Sequence, residues 1–78
     1  MPRVYRPYKA TKMQVLDFIR LQRIVWPWQL VEEFGMAEST ATWRLWRLGK
    51  QGLAERLRGG GWCLTEEAYR RLDYYGML

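Results

Sequence analysis

Arg44, Arg47 and Lys50 recur every three residues through the middle of the chain, with Ser39, Thr40 and Thr42 just ahead of them and Trp43 among them. Guanidinium and ammonium groups donate charge-assisted hydrogen bonds to phosphate oxygens, and hydroxyls bond more weakly. Side chains three or four apart share a helical face, so this spacing offers an anion-binding surface. Two further basic groups accompany it. Arg56 and Arg58 flank the run Gly59-Gly60-Gly61, and Arg3, Arg6 and Lys9 punctuate an N-terminal segment without an acid.

Catalytic chemistry is poorly provided for. The chain contains no His, which removes a Ser/His/Asp triad, a Cys/His pair and any imidazole-bound metal. Acids do not cluster, so we expect no enzyme, no cofactor and no metal. Cys63 is the single cysteine, so no internal disulfide can form and the fold must rest on its core, as in intracellular domains. Between Trp62 and Leu64 it reads as a small buried hydrophobe; a reactive thiol is the alternative.

Length and charge set the frame. A chain of 78 residues, 49% hydrophobic and 27% charged, has the composition of one small globular domain. We divide it into a basic arm, 1–10, and one domain, 11–78. The net charge of +5 is uneven: +4 over residues 1–12, −2 over 13–38, +4 over 39–65 and −1 over 66–78. That polarised pattern suits a polyanionic partner better than general solubility does. No apolar run approaches the roughly 20 residues that span a bilayer, and no signal peptide is evident. A cytoplasmic protein, nucleoid-associated in a prokaryote, is expected.

The elements that position these groups follow from local pattern. Pro2 and Pro7 keep the arm extended. Thr11 and Gln14 form a capping-box pattern, and Val15, Leu16, Phe18 and Ile19 supply the apolar stripe of a helix over 11–23. Ile24-Val25-Trp26 is a minimal strand. Pro27 opens a second helix, 27–35, with Leu30, Val31 and Phe34 inward and Gly35 as its stop. Ala41, Leu45, Leu48 and Gly52 fall at steps of four, three and four, which defines the buried face of a third helix over 38–50. Residues 53–58 and 62–65 read as a hairpin about the three glycines. Thr65 caps a last helix with Ala68, Tyr69, Leu72 and Tyr75 inward and Gly76 as its stop. The predicted class is mostly α with a small β-hairpin, in the order helix-strand-helix-helix-strand-strand-helix.

That order resembles the winged helix-turn-helix family, including the MarR-like and ArsR-like regulators. The residues that carry the resemblance are Leu30-Val31-Glu32-Glu33-Phe34-Gly35, the entry Met36 to Thr42, Leu45, Leu48 and Gly52-Leu53. Arg58-Gly59-Gly60-Gly61-Trp62 stands as the wing and Leu64 to Ala68 as the exit from it. The resemblance implies a DNA-binding transcriptional regulator whose third helix enters the major groove of double-stranded DNA. It points to Glu38, Ser39, Thr40, Thr42, Trp43 and Arg44 as groove-facing. From the exposed helix face itself, Arg47 suits a guanine edge or a phosphate and Lys50 a phosphate. Arg56, Arg58, Gly59 and Gly60 would meet the backbone or minor groove beside that helix. Arg3, Arg6 and Lys9 could enter a minor groove, as basic arms of other DNA-binding domains do; a solubilising tail is the equal alternative.

Trp43 and Trp46 depart from the family pattern, where polar or basic residues are usual. Trp43 should point outward, and Trp46 should pack against arm, wing or the first helix. Both could instead anchor a protein partner, which makes a winged-helix interaction module the alternative function. Trp26 and Trp28 are expected to be partly core, bridging the second helix and the sheet. A homodimer through the first and last helices is a further expectation, drawn from the aromatic C-terminus.

Overall fold

Thr11 opens the first helix, α1 (Lys12–Gln22), with both halves of a capping box: its Oγ1 accepts from Gln14 N–H at 3.1 Å and its own N–H donates to Gln14 Oε1 at 2.8 Å. The structure is a computed structural model and describes residues 10–74. The expected arm contacts of Arg3, Arg6 and Lys9, the inward Tyr75 and the stop at Gly76 lie outside the described residues. Among the described residues four helices and one two-stranded antiparallel sheet make the class α+β.

α2 (Pro27–Phe34) and α3 (Glu38–Lys50) follow, then β1 (Ala54–Arg56), β2 (Trp62–Leu64) and α4 (Glu66–Tyr74). The register pairs Ala54 with Leu64, Glu55 with Cys63 and Arg56 with Trp62. The expected strand at 24–26 is reduced to a single bridge. Val25 exchanges both backbone hydrogen bonds with Trp62, at 2.9 and 2.8 Å, on the other edge of β2. Pro27 explains the brevity: it has no N–H to extend the ladder and its ring starts α2 instead.

The core gathers one face from every helix: Val15, Leu16 and Ile19, then Leu30, then Ala41, Leu45 and Leu48, then Ala68 and Leu72. Val25, Met36, Leu53, Ala54, Trp62 and Leu64 complete it from the connecting chain and the sheet. Phe18 and Phe34 close the α1–α2 side in an edge-to-face pair 5.5 Å apart.

Three expectations need correction. Gly52 is not on the buried face of α3 but past its end, exposed and at φ 77°. Its N–H reaches Gly49 O and Leu53 N–H reaches Leu48 O, the paired bonds of a Schellman motif that requires a left-handed residue. Leu53, fully buried, takes the core place instead. Trp28 is 57% exposed and Trp26 38%. Trp28 lies two residues before Leu30, about 200° around the helix at 3.6 residues per turn, so burying Leu30 turns it outward. Trp26 does bridge, but to the hairpin tip, with Nε1 3.4 Å from Gly59 O. Tyr69 is also half out, at 37% exposure, because Ala68 and Leu72 already fill the α4 contact.

No small polar side chain caps α2; the backbone of Trp26 is served by Gln29, whose Oε1 accepts from Trp26 N–H at 2.9 Å. Thr65 caps α4, accepting from Ala68 N–H at 3.3 Å and donating to Gly52 O at 2.6 Å. One hydroxyl thereby joins the end of α3 to the start of α4.

Candidate functional site

α3 buries Ala41, Leu45 and Leu48, so the opposite side is committed to solvent. Glu38, Ser39, Thr42, Trp43, Trp46, Arg47 and Lys50 are exposed, and Thr40 and Arg44 half-buried. At 100° per residue Trp43 and Lys50 fall opposite the buried stripe. Glu38 stands in the first turn, where its carboxylate also favours the positive helix end.

On the α1 side of α3 a groove of about 370 Å³ is lined by Lys12, Trp43, Arg44 and Arg47 among others. Three contacts organise it. Arg44 Nη2 donates to Ala10 O at 2.8 Å. Lys12 Nζ donates to Gln51 Oε1 at 3.0 Å. The Arg47 guanidinium carbon stands 5.0 Å from the centroid of the Trp43 ring, within the range of a cation–π contact. Arg44 was expected among the outward residues; it turns toward α1 and holds the chain entering that helix.

On the other side the hairpin meets α3. Trp46 packs edge-on against Trp62, with centroids 5.9 Å apart and planes at 70°. Trp62 is buried, and a Cβ on Gly49 would come within 3.1 Å of its ring, so the indole packs closely over the bare backbone at 49. Of the partners left open for Trp46, the hairpin is the one observed. Lys50 and Arg56 line this second groove beside the two indoles.

Arg56 and Arg58 are exposed on the hairpin. Gly60 N–H donates to Leu57 O at 3.0 Å, closing a four-residue turn, and Gly59 and Gly60 both sit at φ 98°. That backbone is what two of the three glycines supply. Ion pairs join Asp17 to Arg20 and Glu67 to Arg70 and Arg71. Among the described residues Lys12, Arg47, Lys50, Arg56 and Arg58 make none, so the acids of the scaffold do not neutralise the cations around α3.

Cys63 corrects the sequence reading. It is half-buried, on the face of β2 opposite Trp62 and Leu64 and paired with Glu55. Neighbours in a strand point to opposite faces, so flanking core residues predict the reverse of burial. Desolvation, then the Glu55 carboxylate, raises its thiol pKa above the ordinary value, which lowers the thiolate fraction and so disfavours a reactive thiol. Among the described residues no group of three or more His, Cys, Asp or Glu could hold a metal ion, and no helix is long and apolar enough to cross a membrane.

Sequence reasoning missed Lys12 and Gln51 as neighbours, because 39 residues separate them. Neither residue carries a local signal for that contact. Comparison with protein-family models, curated proteins and solved structures finds no match.

Proposed function

We propose that this chain is a winged helix-turn-helix domain that binds double-stranded DNA as a transcriptional regulator. α2 and α3 form the helix-turn-helix, and the β1–β2 hairpin forms the wing. The observation that carries this reading is the continuity of unneutralised cations across α3: Lys12 and Arg47 on one side, Lys50 and Arg56 on the other, Arg58 beyond. Such a stripe matches the spaced phosphates of a duplex. Ser39 and Thr42, exposed in the first two turns, are the polar groups that base edges would meet. Arg44 supports the interface by holding Ala10, the residue at which the basic segment carrying Arg3, Arg6 and Lys9 joins the domain in sequence.

Salt titration tests it. Five phosphate contacts give a slope of log K against log salt of about −4.5, so a fourfold rise in salt weakens binding about 500-fold. Replacing Arg56 and Arg58 with Gln should flatten the slope by about 1.8. Absence of binding to any duplex at low salt refutes the reading.

A second reading has its own observation. Trp43 and Trp46 are 56% and 51% exposed near the middle of the face, and exposed tryptophans are common anchors for protein contact. A protein-interaction module is what remains if no nucleic acid binds. Under either function a homodimer would use α1 and α4, where Leu21 is 61% exposed and Tyr74 83%. Sedimentation distinguishes monomer from dimer.

A further inference from the structure

The two indoles on α3 do not suit the edges of stacked base pairs. In the major groove a base presents donors, acceptors and a methyl group along its edge. An indole brings one N–H donor and no acceptor, so a Trp at the centre of the face reads almost nothing there. What it can grip is the π-face of a base, and that face is free only where the base is unpaired.

We infer that Trp43 and Trp46 form a stacking platform for unpaired bases, so that the preferred ligand is DNA in which a single-stranded stretch adjoins duplex. This inference rests on the DNA-binding reading above and narrows its substrate. Both rings are braced before any ligand arrives. Trp43 carries the Arg47 guanidinium against its ring, yet remains 56% exposed. Trp46 is held edge-on by Trp62, itself only 4% exposed, and remains 51% exposed. Pre-held rings lose little freedom on binding.

Each indole also borders a groove whose other walls are cationic. Lys12 and Arg47 line the first with Trp43, and Lys50 and Arg56 line the second with Trp46. An aromatic platform with phosphate-binding cations beside it is the arrangement that holds single strands without sequence preference. The two Trp are three residues apart on one helix, with Cβ atoms about 5–6 Å from each other, so both can serve nucleotides close together in one strand. The charge decides against a protein occupant: residues 39–65 carry a net +4, which favours a polyanion over an apolar partner surface.

The test compares three labelled DNAs by fluorescence anisotropy at one salt concentration. They are a blunt duplex, the same duplex interrupted by a short thymine gap, and an oligothymidine. Stacking alters affinity by about fivefold to a hundredfold per base, so the gapped duplex should bind at least about fivefold tighter than the blunt one. Trp43→Ala should erase that difference and Trp43→Phe should keep most of it. Circular dichroism verifies that both variants fold. Equal affinity for blunt and gapped duplex overturns the platform and leaves duplex binding standing. So does a Trp43→Ala variant that weakens both forms equally or neither. If none of the three DNAs binds at low salt, the platform and the DNA-binding reading fall together.

Discussion

Gly61→Ala is the substitution whose effect follows most directly from the geometry. Gly61 is buried next to the turn of the hairpin, and unlike Gly59 and Gly60 it is not among the glycines with positive φ. Its need is for space. A Cβ there would stand 2.7 Å from Ile24 Cγ2 and 3.0 and 3.1 Å from two carbons of the Trp26 ring. Relief requires the segment 24–26 to move away from the hairpin, and Val25 between them holds Trp62 by the two hydrogen bonds of the bridge. Overpacking of this kind costs about 1–3 kcal/mol, and weakening the bridge adds up to about 1 kcal/mol per bond. We expect a loss of about 2–3 kcal/mol, which lowers the Tm of a domain this size by about 10–20 °C. Urea unfolding followed by circular dichroism measures it, with the slope m unchanged. Ile24→Ala in the same chain removes the nearest methyl group and should recover about 1 kcal/mol, a coupling that a double-mutant cycle isolates. A Gly61→Ala protein within about 0.5 kcal/mol of the parent, the range of an ordinary surface change, refutes the packing argument. Under the proposed function the displaced hairpin would also weaken DNA binding, since Arg56 and Arg58 ride on it.

Arg23 ends α1 at φ 75°, ψ −54°, a strained conformation for an L-residue. Arg23→Gly should stabilise the fold by about 1 kcal/mol after glycine's larger unfolded-state entropy is set against the relieved strain; a lower Tm would count against it, and Arg23→Ala should change little. Cys63 should alkylate more slowly near neutral pH than an unstructured cysteine peptide, because its pKa is raised by desolvation and then by Glu55. The linkage has a definite sign: a thiol whose folded pKa lies above its unfolded value keeps its contribution below the unfolded pKa and loses it as pH rises through the folded one. Stability should therefore fall on the alkaline side of the ordinary thiol range, and Cys63→Ala should reduce that dependence. Rapid alkylation matching the peptide would sink this account.

The sequence by itself determined the four helices, their starts and, for the first three, where they stop. Thr11 with Gln14, Pro27, Gly35 and Thr65 act through hydrogen bonds and backbone preferences within a few residues, so their consequences are written locally. The spacing of Leu16 with Ile19, and of Ala41, Leu45 and Leu48, likewise names a buried face without reference to anything distant. The basic character of α3 and the hairpin is legible for the same reason, because a buried stripe leaves its opposite side to water. Tertiary structure decided whatever depends on a neighbour far along the chain. Arg44 turns to Ala10 across 34 residues and Lys12 to Gln51 across 39, and no local pattern encodes either meeting. Buried neighbours on both sides suggest burial for Cys63, but a strand alternates its faces; and Trp28, though it opens α2, is carried outward because a helix turns about 100° at each step. Three consecutive glycines look alike in sequence. Only the folded chain separates the two that supply a left-handed backbone from Gly61, which makes room for Ile24 and Trp26.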